Sequence, residues 1–294
     1  MKISEVGPGG HNISPVTVSR GEYGTCIQPG RATRTREALA KGCFLDMLLD
    51  ERGGNTLFVV LHGATDREKY SMPRFEWMST INEISDWSTL YVSDPVLSVD
   101  DVIQLAWYVG WGELDLHEVI ADRVQEIANS MGYSQLIFCG SSGGGFASLQ
   151  ISRLVPGSYA LAMNAQTAID AYLVNGSGLG PQRTFIERLM PELMPVGGLT
   201  YENQYRWADP RRSRLSAVEG YSQATKNRVY LVQNVNDFHY EEHFVPFTKA
   251  FLSANGESGF QSLLYAGPHA HVVPSREIFQ ESMLRCLNWA SPEN

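Results

Sequence analysis

Cysteine is scarce in this chain. The four present, Cys26, Cys43, Cys139 and Cys286, are far apart and form no C-x-x-C pair, which predicts free core thiols and fits a reducing compartment. Basic charge is also short, with 23 Lys and Arg against 32 Asp and Glu and a net charge of −9. A nucleic-acid partner is excluded on that balance, because holding phosphates needs clustered cations. No apolar run approaches the ~20 residues of a membrane span. The first residues, MKISEVGPGGHNIS, are polar and Gly-rich, unlike a secretory signal, so a cytoplasmic location is expected. Internal repeats and low-complexity tracts are lacking too.

What remains is an ordinary globular balance over 294 residues, 43% hydrophobic and 19% charged, enough for a large core. Strand-like and helix-like segments alternate along most of the length, the pattern of a mostly parallel α/β sheet flanked by helices. A β-rich stretch spans about residues 14–50. LFVVLHG, 57–63, is continuously apolar, as expected of a strand buried on both faces. Further strands are expected at 88–95, 135–140, 159–165, 228–235 and 261–267. Residues 115–131 carry Leu116, Ile120, Val124, Ile127 and Met131 at helical spacing, with Gly132 as the stop. Helices are also expected at 144–154, over EEHFVPFTKAFLSANG, and at 275–290 with Ser275 as N-cap.

The rhythm breaks between about Gln166 and Asn227. Some sixty residues there are rich in Gly, Pro, Arg and aromatics, far more than a normal connection. A single domain over 1–294 with a cap inserted at 166–227 is the expected organisation.

Gly140-Ser141-Ser142-Gly143-Gly144 fits G-x-S-x-G, directly between an apolar strand and a helix pattern. Such a turn strains the serine backbone and pushes its Oγ out above the sheet, and the glycines leave room for the flanking backbones. Ser142 is the expected nucleophile, with Ser141 as its rival. Gly145 is expected to serve close helix–strand packing. GSSGGG lacks the lysine of a phosphate-binding P-loop and the spacing of a dinucleotide loop. His62-Gly63-Ala64 ends an earlier strand, where a turn can aim N–H groups at a developing oxyanion; Ala64 and Gly143 are the expected donors. His62 itself is expected to pin that loop.

A serine hydroxyl needs a base, and the base needs a carboxylate. Asp237 follows the strand RVYLVQNV and His271 follows QSLLYAG, in the order serine, acid, histidine. His269 competes as base. Glu241 and Glu242 compete as acid but belong to the next helix, and Asp237 would also serve as that helix's cap. His239-Tyr240-Glu241-Glu242-His243 fits H-x-x-E-H, a zinc-peptidase pattern, yet it follows a sheet strand and lacks a flanking helical domain, so chance is the better account. Two further groups suggest substrate contacts. Trp107 and Trp111, in WYVGW, offer faces for a sugar ring, with plain packing as the competing reading. Arg206, Arg211, Arg212 and Arg214 offer guanidinium groups for an anion, with pairing to the chain's own carboxylates as the competing reading.

Taken together, LFVVLHG, GSSGGG, NVND and HAHVVP resemble the α/β-hydrolase superfamily over most of the chain. SDPVL, LAWYVGWGE and MNAQTAI resemble more narrowly a group of bacterial α/β hydrolases associated with polysaccharide synthesis, whose members often have Asn-Pro-Gln-Thr where this chain has Asn164-Ala165-Gln166-Thr167. The superfamily resemblance implies a cofactor-free hydrolase or acyltransferase and does not imply a substrate, because one fold hosts many chemistries; a small-molecule acyl substrate is the expectation from the serine chemistry. Ester hydrolysis is the leading expectation; acyl transfer to a sugar hydroxyl and a non-catalytic binding protein on the same scaffold are the alternatives.

Overall fold

The structure is a computed structural model that describes residues 12–84, 87–172, 179–204 and 207–291. A nine-stranded sheet forms its centre. The strands are β1 (Val16–Val18), β2 (Ala32–Ala38), β3 (Phe44–Asp50), β4 (Thr56–Leu61), β5 (Ser88–Val92), β8 (Gln135–Ser141), β9 (Tyr159–Met163), β10 (Arg228–Asn234) and β11 (Phe260–Tyr265), while β6 (Gly110–Trp111) and β7 (Leu114–Asp115) make a separate small hairpin. Their spatial order is β1-β2-β3-β5-β4-β8-β9-β10-β11. Only β3 runs against its neighbours; from β5 to β11 every pairing is parallel.

Alternating side chains of the central strands feed two cores. In β4, Leu57, Val59 and Leu61 face one core, and Phe58 and Val60 the other. The same split recurs in β8, with Phe138 on one side and Ile137 and Cys139 on the other. Both faces are therefore buried, which is why these strands read as unbroken apolar runs rather than as alternation. The helices Leu116–Met131, Gly143–Arg153 and Val245–Asn255 cover the first face. The closing helix Arg276–Ala290 covers the second with Phe279, Met283 and Cys286.

Local signals set the helix ends. Asp115 caps Leu116–Met131 by accepting from the His117 and Glu118 N–H groups, and Gly132 ends it at φ 77°. Ser275 Oγ accepts from the Ile278 N–H at the start of the closing helix. The Leu116–Met131 helix is also locked to β2 by a buried two-pronged pair, Arg123 Nε and Nη2 each 2.7 Å from Glu37. All four cysteines are free thiols, and all but Cys26 are buried.

One expected helix departs from its pattern. Residues 241–256 were expected as one helix, but Tyr240–Phe244 winds as a π-turn before the α-helix Val245–Asn255 begins. Pro246 lies in the first turn of that α-helix and has no N–H to give back to the preceding turn.

The stretch 166–227 contains the helix Leu179–Leu189 and several short helical turns, including Arg212–Leu215 and Ala217–Tyr221. Gln182 organises part of it, donating to the carbonyls of Asp170 and Tyr172 and accepting from Trp207 Nε1 at 2.9 Å. Buried Arg214 ties the stretch to the β6–β7 hairpin by donating to the carbonyls of Val109, Trp111 and Leu114.

Candidate active site

Strand β8 ends at Ser141 and a helix starts at Gly143, so Ser142 alone makes the turn. Its backbone sits at φ 56° and ψ −120°, a conformation that costs an L-residue about 1–3 kcal/mol. The surroundings permit no slack. A Cβ on Gly140 would lie 2.4 Å from Gly144 C, and one on Gly144 would lie 2.2 Å from Leu61 O. One on Gly145 would meet Ala165 Cβ at 2.6 Å, so that glycine lets the helix approach the segment after β9. Ser141 is different: it pairs with Met163 within the ladder and is 1% exposed.

Above the turn, Ser142 Oγ lies 2.9 Å from His271 Nε2, and His271 Nδ1 lies 2.7 Å from Asp237 Oδ2. An ionised carboxylate only accepts, so Nδ1 carries the hydrogen and Nε2 faces the serine bare. Asp237 does two things at once. Its Oδ1 accepts from the His239 N–H at 3.0 Å, a local bond just ahead of the following turn, while Oδ2 holds the imidazole. Glu241 and Glu242 lie on the π-turn, as expected of residues in the following helix. His269 is exposed beside a surface depression of about 420 Å³ that Asp237, Tyr240 and Glu241 also line.

The His271 loop is held by amides. Asn234 donates to the Pro268 carbonyl at 2.7 Å and accepts from Gly267 N at 2.8 Å; Asn236 donates to the Gly267 carbonyl at 2.8 Å. From β9's end, Asn164 donates to the Val272 carbonyl at 2.9 Å. Asn164 has φ 42°, a left-handed conformation that asparagine tolerates better than most residues.

The His62–Ala64 turn lies against the serine: a Cβ on Gly63 would be 3.6 Å from Ser142 Cβ. Among the described residues, neither Ala64 N nor Gly143 N has a hydrogen-bond partner. His62 pins this turn. Its Nδ1 donates to the Gly63 carbonyl at 2.8 Å and its Nε2 accepts from Asp94 N at 3.0 Å. Complete burial pushes its pKa down to about 3, so it stays neutral and keeps both bonds.

Two side chains that the motif logic did not single out for a role at the serine complete its surroundings. Gln166 Nε2 lies 2.8 Å from Ser142 Oγ, and Trp107 Nε1 donates to Gln166 Oε1 at 2.9 Å. The signal in the sequence was the short run Asn164-Ala165-Gln166-Thr167, which had a family likeness but no assigned chemistry.

Other sequence candidates do not converge here. Trp111 is buried, with Lys41 5.0 Å over its ring, and its face is not open to a sugar. Trp107 is also buried, so it reaches Ser142 through Gln166 and not as an open face. Arg212 is taken by Asp170 at 2.6 Å and Asp209 at 2.7 Å, as the competing reading of the arginine group has it. Burial raises Asp170 to about 6 against that pairing. Arg214 is buried, Arg211 is half-buried, and Arg206 lies outside the described residues. His239 and His243 meet edge to face with ring centres 4.6 Å apart, and His243 Nδ1 accepts from the Thr167 N–H. The described residues that bring three possible metal-ligand atoms within 4.8 Å are Asp237, His239 and His271, two of which already bond each other.

No family model and no curated protein matches the chain. Solved structures match it as a fold. A chain of the glycosylation-associated protein complex from Streptococcus agalactiae matches 86% of this chain with a TM-score of 0.60 at 17% identity; this chain spans only 46% of its length. The capsule O-acetyltransferase of Neisseria meningitidis serogroup A matches over 88% of this chain and 94% of its own, with a TM-score of 0.59 at 12% identity. An esterase from Pyrococcus furiosus matches over 95% and 96%, with a TM-score of 0.53 at 11% identity. The chain has the α/β-hydrolase fold, and no helix of its described residues is long and apolar enough to cross a membrane.

Proposed function

We propose that the chain is a serine-dependent acyl hydrolase in which Ser142 attacks an ester carbonyl, His271 moves the proton and Asp237 orients His271. The observation that carries this reading is the unbroken line from Asp237 Oδ2 through His271 to Ser142 Oγ, at 2.7 and 2.9 Å, ending on a serine at positive φ. Neutral His271 accepts the Oγ proton as Oγ bonds to the carbonyl carbon. The carbonyl π-electrons move to oxygen, where the N–H groups of Ala64 and Gly143 receive the charge. On collapse the C–O bond to the alcohol breaks, and the departing oxygen takes the proton from His271. Water repeats the sequence and returns the proton to Oγ. Asp237 holds the tautomer and stabilises the imidazolium without taking the proton. The stretch 166–227 acts as a cap, which is supported by Tyr172 and Phe185 packing edge-on against Trp107 with ring centres 6.0 and 5.5 Å away.

A second reading keeps the acylation and replaces water by a sugar hydroxyl. It is favoured by the match to a capsule O-acetyltransferase over nearly the whole of that protein. Covalent labelling with a fluorophosphonate probe tests the shared step: Ser142→Ala abolishes it and Ser141→Ala retains it. Loss with Ser141→Ala alone would shift the nucleophile by one residue. A panel of chromogenic esters of increasing acyl length, with and without sugar acceptors, then separates hydrolysis from transfer.

A further inference from the structure

Among the described residues Ser142 Oγ has two polar partners, and only one is the imidazole. The other, Gln166, is fully buried. Its amide cannot be turned around. The indole N–H of Trp107 is a donor only, so the oxygen of Gln166 must face Trp107 and the NH₂ must face Ser142. Gln166 is anchored to the same turn by its backbone, with Gln166 N directed at Ser142 O at 3.4 Å.

Trp107 is fixed in turn, at visible cost. Trp107 and Tyr108 both have positive φ, 52° and 56°, a conformation expensive for two consecutive aromatic residues. Three bonds hold them there. Asp94 Oδ2 accepts from Tyr108 N at 2.9 Å, Tyr108 Oη donates to the Val92 carbonyl at 2.8 Å, and His117 Nε2 donates to the Trp107 carbonyl at 3.0 Å. Burial lowers His117 to about 4, so it is neutral with its hydrogen on Nε2. A strained turn of this kind, braced on every side and ending on a nucleophile's oxygen, is more than core packing requires.

We propose that Gln166 is a catalytic residue of the acyl-transfer step: its amide donates to Ser142 Oγ, leaving the hydroxyl proton one direction to point, toward His271 Nε2, and supporting the charge on Oγ while its bond to the acyl carbon forms and breaks. Trp107 is the positioning residue that aims the amide. The inference rests on the serine-hydrolase reading of Ser142. Gln166 neither gains nor loses a proton. The Oγ proton passes to His271 and on to the departing alcohol, and in deacylation a proton from water returns to Oγ by the same imidazole. In the acyl-enzyme Oγ is an ester oxygen and a weaker acceptor, so the buried N–H is left short of a partner until Oγ departs. Leaving a buried donor unsatisfied is costly, which favours deacylation.

The test is the rate of fluorophosphonate labelling at Ser142, located by peptide mass, across pH 6 to 9 with melting temperature as control. Gln166→Met keeps the volume and loses the donor, and labels 10- to 100-fold more slowly than wild type. Gln166→Glu keeps the shape, but its carboxylate accepts instead of donating. It labels about 100-fold more slowly at pH 8, and its deficit shrinks toward pH 6 as the carboxyl protonates, a pH trend that packing alone would not give. Trp107→Phe, which removes the indole N–H together with the five-membered ring that carries it, labels three- to tenfold more slowly, with the melting temperature reporting the lost packing. Wild-type labelling with Gln166→Met and Trp107→Phe both within twofold of it overturns the inference and leaves the hydrolase reading standing. Absence of labelling in the wild type overturns the reading itself.

Discussion

The two halves of the candidate site are held in place by different physics. The serine half is fixed by sterics: Ser142 lies on a one-residue turn between a buried strand and a buried helix, with glycines where a Cβ would strike backbone at 2.2 to 2.4 Å. The histidine half is a largely exposed loop after β11, itself the half-exposed edge strand. Its shape comes from side-chain amides of Asn164, Asn234 and Asn236 gripping the main chain of residues 267–272. A nucleophile must be presented in a strained conformation, which only close packing enforces. A base needs only to be aimed, and a few hydrogen bonds suffice.

The contrast predicts unequal consequences of substitution. The largest belongs to Gly144→Ala. Its new Cβ would lie 2.2 Å from Leu61 O and 2.9 Å from His62 C, which are backbone atoms of the central strand and cannot swing aside. Overpacking at that closeness costs about 3 kcal/mol. The expected outcome is a lower denaturant midpoint and complete loss of labelling; a midpoint equal to wild type would show that the turn is not sterically held.

Acid comes next, and it strikes both halves. Burial pushes His62 and His243 down to about 3 and His117 to about 4, and it lowers His239 well below its ordinary value. These groups are neutral when folded and protonated when unfolded below about 6.5, so their contribution is complete above that pH and is lost as pH falls toward 3 to 4. Asp94, raised to about 6 by burial, acts in the opposite sense between about 4 and 6, as does Asp170. Burial raises the Asp50 and Glu242 carboxyls as well, but the four histidines begin to take up protons on unfolding at a higher pH, near 6.5, so the melting temperature should fall from pH 6.5 to 5. His62→Gln should flatten the curve. An unchanged slope in that variant would mean that His62 does not take up the proton on unfolding.

A smaller structural effect with a visible kinetic one is expected of Asn234→Ala. The variant loses the bonds to Pro268 O, Gly267 N and Asn236 N. About 1–2 kcal/mol of stability goes with them. The labelling rate should fall about tenfold, because a base displaced by a fraction of an ångström loses its alignment. Equal rates with lowered stability would show that the loop does not need its clips to aim His271.

The serine half was also the more legible in the sequence. LFVVLHG reads as a doubly buried strand because both faces of β4 are apolar, QLIFCG reads as a strand, and the glycines of GSSGGG follow from the sterics of a sharp turn. Asp237 and His271 were legible through their places after β10 and β11. The amide clips were not, since Asn164, Asn234 and Asn236 look like ordinary loop residues until their partners are close. Gln166 escaped for the same reason, and Trp107 was read as a sugar face or as packing and not as its partner: they are 59 residues apart, and local spacing does not encode their bond. The π-turn at Tyr240–Phe244 was hidden because its composition is that of a normal helix, and only Pro246 hinted at the break.

The smallest expected effect concerns the second histidine of the loop. His269 and His271 are two positions apart, and both follow β11 where the base is needed. The bonds that shape the loop run to the main chain at Gly267, Pro268 and Val272, and none uses the His269 ring. That ring is exposed beside the depression next to Asp237, whereas the His271 side chain is 17% exposed and bridges the acid and the serine. His269→Ala should therefore keep the loop's shape and the line of proton transfer, with labelling and ester turnover within twofold of wild type and an unchanged melting temperature. His271→Ala should fold equally well and label at least a thousandfold more slowly, as expected when a serine loses its base. Because either change could disturb its neighbour, circular dichroism and melting curves accompany both. If folded His269→Ala is inactive and folded His271→Ala is active, His269 is the base, and the loop must rearrange on binding substrate to bring it to Ser142.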